Sequence, residues 1–370
     1  MRTVNVDLGS RSYPIYIENG ILNSLEDIFL KHQVPKKLAI ITDTNVRMLY
    51  VDAIARRLKD RDYEVHVFDV PSGESSKNLQ VMDHICEGLI NARLDRTSPI
   101  VALGGGVVGD LAGFVAASFL RGVPFIQIPT TLLAQTDSSV GGKVAVNHAL
   151  GKNLIGAFYQ PQFVVIDPMV LKTLDIREVW AGLGEVIKYG LIESCELFTQ
   201  LEDKIRTLVD LSDLEFMSSV IEQCCQIKAD VVEQDEREGG LRKILNYGHT
   251  IGHALEATTK YKFFKHGEAV IWGMLAMSWL SAEQKMLSRD EFQRIEKLLK
   301  SVPVPNEWPL LSVDDIMSRV YIDKKNINSK LTVILLDKIG SSVIIENFDE
   351  TLVQHAVEFV LDRVTINKAL

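Results

Sequence analysis

Pro99-Ile-Val-Ala-Leu103, Gly104-Gly-Gly-Val-Val-Gly109 and Asp110-Leu-Ala-Gly-Phe-Val115 follow one another without a gap. A short β-branched run, a turn in the pattern G-x-G-x-x-G and a helical stretch read, in that order, as strand, phosphate cradle and helix. Glycines in such a turn let the backbone approach a pyrophosphate, and the free N–H groups at the helix start face its negative charge. Glycine-rich turns also close helices onto sheets for packing alone, so the pattern by itself is a weak signal. It departs here from the standard fingerprint in two ways. The turn does not follow the first strand, and no acid stands about 20 residues further on as a ribose partner. Asp43 and Asn45, at the end of the earlier run Leu38-Ala-Ile-Ile-Thr42, are placed to take that role instead. A dinucleotide fold other than the standard one is expected.

Outward from this turn, the chain alternates helical stretches with the runs Glu64-Val-His-Val-Phe68, Pro124-Phe-Ile-Gln-Ile128 and Phe163-Val-Val-Ile-Asp167 up to about residue 175. That is an α/β half with a largely parallel sheet. From Arg177 to about Lys300 the period becomes helical, with Phe216, Val220, Ile227 and Val231 on one face after a capping box, Ser212 to Glu215. Pro303 and Pro305 interrupt it, and Leu331-Thr-Val-Ile-Leu-Leu336 and Val343-Ile-Ile345 flank a turn at Gly340, Ser341 and Ser342, which predicts a small hairpin. Two domains are therefore expected, residues 1–175 and a mainly α-helical 176–370, which suits a chain of 370 residues.

A formal charge of −9 argues against a general nucleic-acid or anionic-membrane surface, so anion-binding cations must be gathered locally. The four cysteines, Cys86, Cys195, Cys224 and Cys225, have no paired metal spacing and read as reduced thiols. The N-terminus carries no apolar signal segment, and the run Ala269 to Leu280 is too short to span a bilayer, so a cytoplasmic location is expected.

The candidate chemistry lies in two groups. After the glycine turn, Pro129-Thr-Thr-Leu-Leu133, Asp137-Ser-Ser-Val-Gly-Gly-Lys143 and Gly151-Lys-Asn153 crowd hydroxyls, an acid, glycines and two lysines into what reads as a substrate and cofactor loop. In the helical half, Glu185 and Lys188 share a face at i,i+3, a spacing that a surface ion pair would also give. His249 and His253 stand at i,i+4, the spacing of helical metal sites, and His266-Gly-Glu268 opens a very apolar helix. Thr250 occupies the position that the protease motif gives to glutamate. One carboxylate and two imidazoles would leave open positions on a Zn²⁺ ion for substrate oxygens, with the remaining histidine free for proton transfer. Lys228, Arg242, Lys324 and Lys325, with Lys143, Lys152 and Lys188, would form a cationic set inside an acidic protein, suited to a small polyanion.

Taken together, these segments resemble the 3-dehydroquinate synthases of the shikimate pathway, from about Asp43 to Lys325. The combination is far more specific than any part: Gly104 to Asp110, Pro129-Thr-Thr, Asp137 to Lys143, Gly151-Lys-Asn153, Glu185-Val-Ile-Lys188, Leu245-Asn-Tyr-Gly-His249, His253 and His266-Gly-Glu268. The resemblance implies a homodimer with a Rossmann-like N-terminal domain, a helical C-terminal domain and the active site in the cleft between them. It implies metal ligation (Zn²⁺ or Co²⁺) by Glu185, His249 and His266, with His253 left for the substrate phosphate and proton traffic. NAD contacts are implied at Asp43, Asn45, Glu74, Lys77, Gly105, Gly106, Val107, Asp110, Thr130, Thr131, Lys143, Lys152 and Thr173. Substrate contacts are implied at Asp137, Lys143, Lys152, Asn153, Lys188, Lys228, Arg242, Asn246 and one of Lys324 or Lys325, with Arg121 reaching into the partner's site.

The activity implied is conversion of 3-deoxy-D-arabino-heptulosonate 7-phosphate to 3-dehydroquinate and phosphate. One alcohol is oxidised, phosphate is eliminated, the ketone is reduced again, and the opened ring closes by aldol addition without net redox change. Two rival readings remain: another sugar-phosphate cyclase, of the 2-deoxy-scyllo-inosose or valiolone type, and a metal-dependent polyol dehydrogenase. Asp110 and the Asp137 to Lys143 segment look like the dehydroquinate branch, and a dehydrogenase has less use for so many lysines.

Overall fold

The computed structural model describes residues 1–325 and 331–367, and the side chains of residues 322–325 fall outside that description. The chain forms two compact units, residues 1–174 with 214–237, and residues 175–213 with 238–370. It thus divides at more places than the single boundary expected near residue 175.

In the first unit, β1 (Arg2–Val6), β2 (Tyr13–Ile17), β3 (Lys37–Asp43), β4 (Glu64–Val70), β5 (Ile100–Gly104) and β6 (Phe125–Pro129) are followed by β7 (Lys143–His148), β8 (Gly151–Phe158) and β9 (Phe163–Ile166). Seven of them make one sheet in the order β1-β2-β9-β6-β5-β3-β4, parallel except at the β1–β2 pair. The central strands β5, β6 and β9 are buried along their whole length, which is why they read as continuous apolar runs rather than alternating ones. From β3 the chain goes out to β4 and returns on the other side of β3 as β5. That reversal makes a topological switch point between the carboxyl ends of β3 and β5, where Asp43 and Gly104 stand. Ligands of open α/β sheets bind at such a crevice.

Two segments differ from the sequence expectation. The stretch from Lys143 onward is no simple loop: β7 and β8 form an antiparallel hairpin. Its signal was the alternation that buries Val144 and Val146 while Lys143 faces water, and a register shift after Val146 turns His148 outward as well. The helix Leu214–Gln234, expected with the helical half, belongs to the first unit. A helical period says that a face is apolar but not which body will cover it. Here Met217, Val220, Ile221, Cys224 and Cys225 are buried, with Phe216 and Ile227 only half-covered beside them. Arg2 of β1 reaches this helix at Glu215 (2.7 Å) and Glu222 (2.6 Å).

The second unit is mainly helical, with the expected hairpin at Val333–Lys338 and Ser341–Ile345. Its central element is the helix His266–Glu283, in which 14 of 18 residues are buried (Ala269, Val270, Met274 and Leu275 among them). A helix apolar on every side belongs in the middle of a body. It packs against both Ile176–Ile192 and His249–Thr258. No described helix is long and apolar enough to cross a membrane.

Candidate functional site

The second unit gathers Glu185, Lys188, His249, His253 and His266. The carboxylate rides in the middle of the helix Ile176–Ile192, His249 opens the helix His249–Thr258, and His266 opens His266–Glu283. Two backbone contacts bring these helices close. A Cβ on Gly267 would lie 1.7 Å from the Ala181 carbonyl oxygen, and one on Gly273 would lie 1.9 Å from that of Gly248. Only glycine lets the three helices approach to where short side chains from each can meet.

Glu185 is 1 % exposed, and its Oε1 lies 3.5 Å from Nε2 of His249 and 3.5 Å from Nε2 of His266. Its other oxygen accepts from the buried Lys188 ammonium. The ring nitrogens of His249, His253 and His266 come within 4.8 Å of one another, with centroids 5.2–5.6 Å apart. Two ligands at about 2.1 Å from a tetrahedral ion stand about 3.4 Å apart, so the carboxylate already stands at that spacing from each of the two imidazoles. Burial pushes the His249 imidazole down to about 3 against the pull of Glu185. Burial also acts downward on His266, but its hydrogen bonds to Glu185 and Glu256 outweigh it and carry the ring up to about 10. A neutral His249 is ready to ligate, whereas a metal must displace a proton from His266.

Several supports of this cluster were not singled out from the sequence. Glu256, at i+7 from His249 and i+3 from His253, accepts from His266 Nδ1 at 3.0 Å. The same one-face spacing could have revealed it. Arg177 forks onto Glu268 (2.6 and 2.8 Å), and Glu268 also accepts from the Lys265 amide (2.8 Å), which fixes the start of the helix that carries His266. Arg242 is buried in the Leu241–Asn246 turn, and Asn246 donates to Glu238 (2.8 Å). Lys324 and Lys325 end the helix Val313–Lys325, but their side chains lie outside the described residues.

In the first unit, the helix Gly106–Ser118 starts directly after β5, with Gly105 as its N-cap and no side chain capping its first turn. A Cβ at Gly105 would come 2.8 Å from Thr131 Cγ2, and one at Gly106 would come 3.0 Å from Ser138 Oγ. Bare amides in a cradle without room for side chains suit a pyrophosphate. Val107 continues the helix. Beside it the buried Lys77 ammonium bridges Asp110 and Asn153, the latter held at a positive φ of 56°. Burial raises the Asp110 carboxyl and Lys77 pulls it back. Asn147 joins this group, donating to Glu74 (2.7 Å) and accepting from the Asn153 amide (3.0 Å). Lys228 donates to the side chain (2.8 Å) and backbone (2.7 Å) of Asp137.

Other expected positions are engaged locally or lie exposed. Asp43 caps its own following turn through the amides of Asn45 (2.9 Å) and Val46 (3.1 Å), and Thr173 pairs with Tyr50. Thr131 Oγ1 accepts from the Ala134 amide, and the Thr130 amide donates to Gly104. Lys143 and Arg121 are exposed and Lys152 is half-buried, with Arg121 at a positive φ of 69°.

Two solved structures share this architecture. A 2-deoxy-scyllo-inosose synthase complexed with carbaglucose-6-phosphate, NAD⁺ and Co²⁺ superposes with a TM-score of 0.87 at 28% identity, covering 97% of this chain and 99% of its own. A 2-epi-5-epi-valiolone synthase from Streptomyces hygroscopicus subsp. jinggangensis 5008, with NAD⁺ and Zn²⁺ bound, also gives 0.87 at 26% identity, over 98% of this chain and all of its own. The fold is therefore that of the cyclizing synthases. Within that class, the family models for the 3-dehydroquinate synthase N-terminal and C-terminal regions match residues 67–181 and 182–326. The 3-dehydroquinate synthase of Desulforamulus reducens is 50% identical over 95% of this chain and 98% of that protein. This chain belongs to the 3-dehydroquinate synthase family.

Proposed function

We infer that this chain is a carbon–oxygen lyase, a 3-dehydroquinate synthase that closes 3-deoxy-D-arabino-heptulosonate 7-phosphate into 3-dehydroquinate and releases phosphate. The observation that carries the chemistry is Glu185 Oε1 at 3.5 Å from the Nε2 atoms of both His249 and His266. These three residues would hold Zn²⁺ or Co²⁺. The Gly104–Gly106 turn, with Lys77, Asp110, Thr130 and Thr131, would hold NAD, the acid Asp43 lying at the neighbouring strand end. When bound, the ion would polarise the reacting alcohol, and NAD would take up its hydride and return it.

The chain's own side chains then bind and orient. The buried Lys188, Lys228 and Arg242, with the half-buried Lys152, would neutralise the carboxylate and phosphate of the substrate, and cations fixed beforehand do this without reorganising during the reaction. Asp137 and Asn246 supply hydrogen bonds to hydroxyls, each already oriented by a partner, Lys228 and Glu238. His253, exposed at the edge of the cluster, is placed to hold or release a proton near the phosphate. Elimination needs little more than this, because a ketone next to the C–H bond acidifies it and the departing phosphate can itself accept the proton. We further propose a cytoplasmic homodimer in which the exposed Arg121 serves the partner's site.

The test is phosphate release from 3-deoxy-D-arabino-heptulosonate 7-phosphate with catalytic NAD and Zn²⁺ while absorbance follows NADH. Phosphate without NADH accumulation is expected, with loss of release on chelation. NADH formed in proportion to substrate would instead indicate a dehydrogenase. Turnover only of sugar phosphates that lack the carboxylate would indicate one of the other cyclases.

A further inference from the structure

The two imidazoles that face Glu185 are held from behind in different ways. His249 Nδ1 lies 3.1 Å from the backbone carbonyl of Tyr247, whereas His266 Nδ1 lies 3.0 Å from Oε2 of Glu256. A carbonyl and a carboxylate can only accept, so in both rings Nδ1 carries a proton, and Nε2 is the nitrogen left to face Glu185 and, once any proton there is displaced, a cation. One acceptor is a peptide dipole. The other is a carboxylate only 4 % exposed.

A buried carboxylate is expensive, and a glutamine of the same shape would accept the same bond at less cost. The charge therefore needs a reason. Glu256 and Glu185 place two carboxylates on opposite sides of the His266 ring, at 3.0 Å from Nδ1 and 3.5 Å from Nε2. That is the arrangement in which an outer carboxylate fixes a ring and strengthens its far nitrogen as a donor to a cation.

We propose that Glu256 is a positioning residue of the metal site, which accepts the Nδ1–H bond of His266, locks the orientation of that ring and raises the affinity of its Nε2 for a divalent ion. The inference rests on the ligand set Glu185, His249 and His266. It also explains why Glu256 lies on the face that carries His249 and His253: one helix supplies a ligand and the brace for a ligand of its neighbour.

The test is Zn²⁺ titration of the metal-stripped full chain against a chromophoric chelator, for the parent protein, Glu256→Gln, Glu256→Asp and Glu185→Gln. Glu256→Gln is expected to bind Zn²⁺ about 10- to 100-fold more weakly. With Co²⁺ in place of Zn²⁺ its visible absorption band should shift, and Glu256→Asp, which keeps the charge, should recover part of the affinity. If Glu256→Gln binds like the parent while Glu185→Gln does not, the role of Glu256 is refuted and the metal site stands. If Glu185→Gln also binds like the parent, the ligand set fails and the brace with it. Should Glu256→Gln not fold, Glu256→Asp decides: an unchanged affinity and Co²⁺ band would overturn the proposal, and a weaker site with a shifted band would support it.

Discussion

On the function proposed above, the glycine turn after β5 and the histidine cluster each hold something charged, yet they use opposite materials. The turn offers backbone amides, and its selectivity comes from missing side chains at Gly105 and Gly106. The cluster offers side chains, and its geometry comes from what stands behind them: Glu256 and the Tyr247 carbonyl behind the rings, Lys188 beside the carboxylate, and Arg177 with Glu268 at the start of the helix. A site of the first kind is harmed by adding atoms. One of the second kind is harmed by removing them, or by displacing the helices.

The sharpest test of that contrast is Glu185→Gln. It removes the anionic donor that faces both imidazoles, and turnover should fall by about 10²- to 10³-fold, the scale seen when one group stabilising a developing charge is lost. NAD binding should be untouched, and chelation of the parent protein should reproduce the loss. Next in size is Gly267→Ala. A Cβ 1.7 Å from the Ala181 carbonyl must drive two helices apart, and overpacking of this kind costs about 1–3 kcal/mol. The melting temperature should drop and Zn²⁺ affinity should fall in the same variant, although no ligand has been changed. Equal Zn²⁺ affinity would show that the helix spacing does not set the ligand spacing.

The parallel strands were legible because burial on both faces leaves an apolar run that needs no partner to be recognised, as in Ile100–Gly104. The histidines were legible because helical spacing is fixed by geometry. What stayed hidden depends on long-range contacts. The apolar face of Leu214–Gln234 could be read, but not that the first unit covers it. Glu268 stood in a quoted motif without its partner Arg177, which is 91 residues away in the chain. Gly267 and Gly273 looked like ordinary helix glycines until the carbonyls facing them were known.

A smaller effect is expected from Lys77→Met, where the two kinds of construction meet beside the turn. Lys77 is 5 % exposed, and its ammonium bridges Asp110 and Asn153. Burial already raises the Asp110 carboxyl above its ordinary value, and the loss of Lys77 would raise it further. A carboxyl with a raised folded pKa contributes stability that is present below its unfolded pKa and lost as pH rises through the folded one. The penalty of the variant should therefore be smallest at acid pH, where a protonated Asp110 needs no cation, and grow toward neutral pH to about 1–2 kcal/mol, between the values for exposed and buried pairs, as a half-buried carboxylate is left without its partner. Thermal melts of the two proteins across that range would check the sign: a gap that narrows with pH would place the cost of the substitution elsewhere than Asp110.

The smallest change separates two meanings of the glycine turn. Gly105 sits at φ −74°, which alanine adopts freely, so its backbone is no obstacle to substitution. The obstacle is space, since a Cβ would meet Thr131 Cγ2 at 2.8 Å. Gly105→Ala should raise the KM for NAD about tenfold, equivalent to about 1.4 kcal/mol, and leave Zn²⁺ affinity unchanged. Thr131→Ser removes Cγ2 while keeping the hydroxyl that accepts from the Ala134 amide at 3.2 Å. If glycine is required only so that the helix can close onto Thr131, the double variant should recover the parent KM. If it is required because a pyrophosphate comes against the bare backbone, Thr131→Ser will relieve the packing and restore the melting temperature, but the KM will stay high. The second result is the one expected of a cradle made by missing atoms.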